Sequence, residues 1–268
     1  MITQTEQESV YKNLDQLPTM ALLEGINSLD QTIAIAVKQV LPAIAALSQQ
    51  MLEQLRGGGR VFYIGAGTSG RLGVLDASEC PPTFGVAPTL IQGIIAGGDT
   101  ALRRAVEHAE DQAEMAWQSL AQLGINSQDI LIGLSASGST TYVLGALKEA
   151  RRLGIPTGCI VCNPNTPIAA ACDYPIAVLT GPEFLTGSTR MKAGSAQKMV
   201  LNMLSTTVMI QLGKVQGNKM VDMRISNAKL KQRAIRILMD ETGCAMQKAQ
   251  QAIEKHQSIR LALQALSR

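Results

Sequence analysis

Tyr63-Ile64-Gly65-Ala66-Gly67-Thr68-Ser69-Gly70 closes an apolar run that begins at Arg60 and opens directly into a helical pattern. A second stretch, Gly133-Leu134-Ser135-Ala136-Ser137-Gly138-Ser139-Thr140, ends the apolar run Ile130 to Leu134 in the same way. A strand that ends in small residues and passes into a helix presents unpaired backbone N–H groups, hydroxyl donors and the positive end of the helix dipole to one small volume. Two such turns predict an anion site, and phosphate is the natural occupant.

Outward from these turns, apolar runs alternate with amphipathic stretches. Arg60 to Ile64, Leu90 to Ile95, Ile130 to Leu134, Gly158 to Cys162 and Ile176 to Leu179 read as strands. Ser69 to Ala77, Thr100 to Leu123, Thr141 to Leu153 and Thr189 to Leu212 read as helices between and after them. Short strands linked by crossover helices predict an α/β fold, a three-layer α/β/α sandwich around a parallel sheet. Ligands then sit at the carboxyl ends of the strands, where both turns fall. Leu17 to Leu55 reads as helix, with Asp30 as a cap and Gly57-Gly58-Gly59 as its stop. After Ser226 short helices with charged faces follow, Leu230 to Asp240, Ala245 to His256 and Ile259 to Leu266. The expected organisation is residues 1–225 as the ligand-binding domain with its N-terminal helices, and 226–268 as a small C-terminal helical appendage.

Composition narrows the partners. The chain has 268 residues, 46% of them hydrophobic and 17% charged, which is the balance of a globular protein with a sizeable core. A net charge of +3 and only 3% aromatics supply neither a basic track nor stacking platforms, so nucleic acid is not expected. No apolar stretch reaches the ~18 residues of a membrane span and the first fifteen residues lack a signal-peptide core, so no membrane partner and a cytoplasmic location are expected. Five scattered cysteines do not form a disulfide framework, and in Cys159-Ile160-Val161-Cys162 the two thiols point to opposite faces of a strand.

The first turn contains G-x-G-x-x-G at Gly65, Gly67 and Gly70, but the second strand ends in Ile95-Ala96-Gly97-Gly98 rather than in the acidic residue of a dinucleotide site. A pair of hydroxyl-bearing loops fits a phosphosugar better. Glu79 lies in Ala77-Ser78-Glu79-Cys80-Pro81-Pro82, expected to be a proline-rigid segment rather than a solvated helix face. Glu107, Glu110, Asp111 and Glu114 recur at helical spacing, which alone would describe a charged outer face pairing with Arg103 and Arg104. Only His108 and His256 supply imidazoles, neither in a nucleophile or metal-ligand pattern, so carboxylates are left to move protons and no metal or cofactor is expected. From Gly181 to Lys198 hydroxyls and cations crowd a helix start, with Ser188 or Thr189 as its expected cap.

These segments resemble one family of the sugar isomerase (SIS) fold, the N-acetylmuramic acid 6-phosphate etherases. The resemblance rests on Ile64 to Gly70, Asp76 to Thr83, Gly93 to Gly98, Ala109-Glu110-Asp111 and above all Gly181 to Lys198, and it runs from about Leu17 to the end. The last segment is shared with the animal glucokinase regulatory protein, a sugar-phosphate-binding regulator. The chain departs from the etherase pattern at Ser139, Thr141 and His108, where that pattern has Arg, Pro and Gly.

The resemblance implies cleavage of the D-lactyl ether of N-acetylmuramic acid 6-phosphate by elimination and hydration, and a homodimer with shared sites. It assigns Glu79 as acid to the leaving lactyl oxygen and Glu110 as base at C2, with the reverse assignment open. Ser69, Ser135, Ser137 and Thr140, with Thr68 and the backbone of Gly67 and Gly138, would hold the 6-phosphate, and Lys192, with Arg190 beside it, would lie near the substrate. A non-catalytic phosphosugar sensor and an aldose–ketose isomerase are the alternatives on the same scaffold.

Overall fold

Five apolar runs pair as one parallel sheet: β1 (Val61–Gly65), β2 (Ile91–Ile95), β3 (Ile130–Ser135), β4 (Thr157–Val161) and β5 (Tyr174–Ala177), in the order β2-β1-β3-β4-β5. The computed structural model describes residues 3–266. β1, β3 and β4 are buried along their whole length, which is why they read as continuous apolar runs rather than as alternating ones. Their side chains divide by parity. Val61, Tyr63, Ile130 and Ile132 pack against α1 (Thr19–Gln39), α2 (Leu41–Arg56), α3 (Gly67–Phe84) and α8 (Lys192–Gln211) on one face. Phe62, Ile64 and Leu131 pack against α5 (Met115–Gln122), α6 (Thr141–Arg152) and α7 (Pro167–Ala170) on the other. Cys159 joins this second cluster, whereas Cys162 packs with Ala136 and Ala193. The sandwich anticipated from the sequence is therefore present.

At the amino-terminal edge of the sheet, Arg60 and Asp129 bind β1 to β3. The carboxylate accepts from Arg60 N at 2.8 Å, Nε at 3.1 Å and Nη2 at 2.7 Å. That edge is fixed by polar bonds, which leaves the carboxyl edge free for a ligand.

Several elements differ from the sequence reading, each for a local reason. The single N-terminal helix is two, bent by 61° at Val40, and Pro42 at the start of α2 explains the break because its ring clashes with a continuing helix. Asp30 lies inside α1 and caps nothing. α3 continues through Pro81 and Pro82 to Phe84, where Gly85 ends it in a left-handed conformation (φ 66°). The segment around Glu79 is thus helix, and Glu79 is exposed on it. The stretch Thr100 to Leu123 breaks into α4 (Gly98–Arg103), a 3-10 turn (Ala109–Asp111) and α5. His108 lies in the first break, between α4 and the 3-10 turn, where its φ of 60° departs from helix.

The C-terminal helices α9 (Ala228–Thr242), α10 (Met246–His256) and α11 (Ile259–Leu266) share a separate core of Ala234, Leu238, Ala249, Ile253, Ile259 and Leu263, to which Val221 and Met223 also contribute. Arg224 N donates to Pro82 O at 3.1 Å and ties this unit to the end of α3. Among the described residues no single helix is long and apolar enough to cross a membrane.

Candidate active site

α3 and α6 aim their first turns at one point because β1 and β3 are neighbours in register, Gly65 beside Leu134. From β1 the chain crosses to β2 on one side, and from β3 it proceeds to β4 and β5 on the other. The crevice between β1 and β3 is the topological switch point, where open parallel sheets hold ligands. A cavity of about 250 Å³ opens there. Gly67, Thr68 and Ser69 line it from the first turn and Ser135, Ser137 and Thr140 from the second, with Glu110, Glu6 and Thr189 completing the wall.

Close backbone approach explains two of the glycines of the first turn. A Cβ on Gly70 would lie 2.6 Å from Gly65 O, and one on Gly65 would lie 2.7 Å from Gly70 N, so the tight passage from strand to helix admits no side chain at either. In the second turn Gly138 has φ 76°, and a Cβ there would meet Thr166 at 2.4 Å.

Hydroxyls then set the chemistry. Ser135 Oγ lies 2.9 Å from Thr140 Oγ1 and 3.3 Å from Ser137 Oγ, and it accepts the Gly138 N–H at 3.0 Å. Gly67, Thr68 and Ser69 are the first three residues of α3, whose N–H groups have no partner within the helix. Hydroxyls, free amides and the positive ends of two helices converge, which suits a phosphate without any cation.

Two polar residues that sequence reading missed hold the cradle from behind. Ser69 Oγ donates to Gln197 Oε1 at 2.8 Å, and Gln197 Nε2 donates to Ile160 O at 3.4 Å. Asn163 Nδ2 donates to Ala136 O at 3.0 Å and to Thr5 Oγ1 at 2.9 Å, while its Oδ1 accepts the Thr5 N–H at 3.1 Å. This clamp brings the N-terminal segment, with Glu6, onto the second loop. The readable signal was a buried amide in each case, Gln197 inside an apolar helix and Asn163 directly after β4.

Glu110 lies at the cavity wall on its 3-10 turn. Thr141 Oγ1 donates to Glu110 O at 2.9 Å, and His108 supplies the left-handed residue that starts the turn. Two of the departures from the etherase pattern therefore bear on the placing of Glu110. The third, Ser139, donates to Ser137 Oγ from the rim at 3.2 Å. Glu79 lies elsewhere. It is twelve residues along α3 from Gly67, about 18 Å at helical rise, so a single chain does not bring the two glutamates together.

The helix start at Lys192 is not capped by Ser188 or Thr189. Glu183, fully buried, accepts Lys192 N at 2.8 Å and Ala193 N at 2.9 Å. Lys192 Nζ donates to Pro182 O at 2.9 Å and is absent from the cavity wall, and burial holds its ammonium below the usual lysine range. Arg190 is exposed on the preceding turn.

Beneath the cradle, Asp76 is buried between α3 and α8. Ser205 Oγ donates to its Oδ1 at 3.0 Å, and the Tyr63 hydroxyl lies close by; among the described residues neither Oδ2 nor that hydroxyl makes a bond of full hydrogen-bond geometry. Burial raises the Asp76 carboxyl to about 6.

The fold and the cradle define a sugar isomerase domain, and comparison with known proteins agrees. The N-terminal SIS domain of glucokinase regulatory protein matches residues 43–151, the SIS domain matches 102–207, and the C-terminal lid domain of glucokinase regulatory protein matches 217–263. The chain is similar in fold to phosphoheptose isomerases from Francisella tularensis (TM-score 0.56, 19% identity, 73% of this chain and 100% of that one) and Neisseria gonorrhoeae (TM-score 0.51, 17% identity, 70% and 98%).

In sequence it is 56% identical to an N-acetylmuramic acid 6-phosphate etherase from Christiangramia forsetii over 97% of this chain and 95% of that protein. It is 53% identical to one from Porphyromonas gingivalis over 98% and 96%, and 51% identical to one from Photorhabdus laumondii over 90% and 80%. The chain belongs to the N-acetylmuramic acid 6-phosphate etherase family.

Proposed function

We propose that this protein is a carbon–oxygen lyase that cleaves the D-lactyl ether of N-acetylmuramic acid 6-phosphate, giving N-acetylglucosamine 6-phosphate and D-lactate. The observation that carries the reading is the cradle of paired helix starts and hydroxyls with Glu110 on its wall, in a chain more than half identical over nearly its whole length to etherases. This favours the lyase over a phosphosugar sensor or an isomerase. The protein would act in amino-sugar catabolism and cell-wall recycling in the cytoplasm.

Ethers resist direct displacement, so the chemistry begins with the sugar opened. The C1 aldehyde acidifies the proton on C2. Glu110 takes that proton, the electron pair forms the C2–C3 double bond, the bond from C3 to the lactyl oxygen breaks, and Glu79 protonates the departing oxygen. Water then adds at C3 with Glu110 as base, and a proton returns to C2. Thr68, Ser69, Ser135, Ser137 and Thr140, with the amides of Gly67 and Gly138, hold the 6-phosphate, and Lys192 supports the substrate wall through the turn at Pro182.

Glu79 is exposed and far from its own cradle, so it serves the site of a second copy of the chain. A homodimer supplies that copy, and the exposed apolar residues Met20, Leu23 and Ile35 of α1 and Leu75 of α3 are suited to its interface. The domain division we propose is 1–225 and 226–268, whose outermost residues, 1–2 and 267–268, lie outside the described ones.

The reading is tested by incubating the purified protein with N-acetylmuramic acid 6-phosphate in deuterium oxide. D-lactate should appear together with product labelled at C2. Lactate without label would remove the elimination route, and no lactate would remove the lyase.

A further inference from the structure

The cradle accounts for one of the two anions in the substrate of the proposed reaction, since the lactyl group ends in a carboxylate. A second cavity of about 190 Å³ adjoins the first, sharing Ala66, Gly67 and Glu110 with it. Its other walls are Ala96, Ala101, Ala105 and Val106, apolar groups of a size to face a methyl, together with Glu107 and His108 at the rim. Arg71 is the sole Lys or Arg on either wall. It stands one helical turn beyond Gly67 on α3 and is only partly exposed.

Its guanidinium lines the side cavity and is held by one nitrogen. Arg71 Nε donates to Leu102 O at 3.3 Å, which fixes the plane of the group. Among the described residues, neither Nη1 nor Nη2 has a hydrogen-bond partner, and no carboxylate lies within ion-pair distance, although Glu107 and Glu110 line the same cavity. A planar fork held by one nitrogen and open at the other two matches a carboxylate. Glu110 lines both cavities, so the base at C2 faces the phosphate cradle and the side cavity alike, as a group serving C2 next to the lactyl-bearing C3 requires.

We propose that Arg71 binds the lactyl carboxylate in this side cavity and so makes the site select muramyl over glucosaminyl phosphosugars. The inference rests on the lyase reading for its ligand, but it concerns recognition rather than turnover.

The borohydride-reduced substrate, N-acetylmuramitol 6-phosphate, separates the two. It keeps the phosphate and the lactyl group, yet has no C1 aldehyde and so cannot eliminate. N-Acetylglucosaminitol 6-phosphate differs from it only by lacking the lactyl group. In calorimetric titrations the native protein should bind the muramitol at least about tenfold more tightly, the scale of one charge-assisted fork. Arg71→Met should bind both alditols alike, with glucosaminitol affinity kept within about twofold, and Arg71→Lys should fall between, because a point charge replaces a fork. A native protein without the preference, an Arg71→Met variant that keeps it, or equal loss for both alditols would overturn the proposal. The last outcome would place Arg71 in the phosphate site instead. Absence of lactate release from the natural substrate, with the alditol preference intact, would instead count against the lyase alone.

Discussion

Single residues decide whether the site works, and their costs are visible. His108 holds a left-handed backbone at φ 60° where the etherase pattern has glycine, and a non-glycine residue there is strained by about 1 kcal/mol or more. His108→Gly should therefore raise unfolding stability by about 0.5–1 kcal/mol after glycine's entropy cost, read by denaturant titration. A loss of stability would show that contacts of the imidazole outweigh the strain. Asp76 makes a second prediction. Its carboxyl is raised by burial from 3.8 to about 6, so the folded state holds its proton more tightly than the unfolded one. That contribution is complete below pH 3.8 and is lost as pH rises through about 6, to a total of at most about 3 kcal/mol. Asp76→Asn should thus be more stable than the native chain at pH 7.5 and lose the advantage below about pH 4, and a pH-independent difference would contradict the assignment. Glu110→Gln and Glu79→Gln should each slow turnover by at least about 10²-fold while phosphosugar binding persists. Unimpaired lactate release in either variant would remove that residue's role.

At the scale of elements, the two glycine-serine turns were legible because strand-to-helix passages follow local rules: small residues for close approach, hydroxyls for the helix start. What was not legible depended on distant partners. The start of α8 looked like a Ser or Thr cap, but the acceptor is Glu183, nine residues upstream of Lys192, brought there by a loop the pattern cannot trace. Removing it strands two buried amides at a helix start, so Glu183→Ala should cost about 3 kcal/mol in denaturant unfolding. A cost below about 1 kcal/mol would mean that water or another side chain takes over the cap. The acidic stretch from Glu107 to Glu114 was misread as helix because its spacing fits one, while the break hangs on the backbone of a single residue, His108. Glu79 was misplaced for the converse reason. Pro81 and Pro82 read as a stop, yet they sit in the last turn of α3, where only the carbonyls four residues back lose partners.

For the whole molecule, the strand order places the cradle at the switch point, and nothing in one chain brings Glu79 to it. The proposed mechanism therefore needs two chains per site, one giving Glu110 and the cradle, the other giving Glu79. Co-expression of Glu79→Gln with Glu110→Gln chains tests this most directly. Random pairing makes half of the dimers mixed, and each mixed dimer has one site with both native glutamates, so D-lactate release should recover to about a quarter of the native rate from two variants that are each nearly inactive. Activity of the mixture no higher than the average of the two variants alone would contradict it.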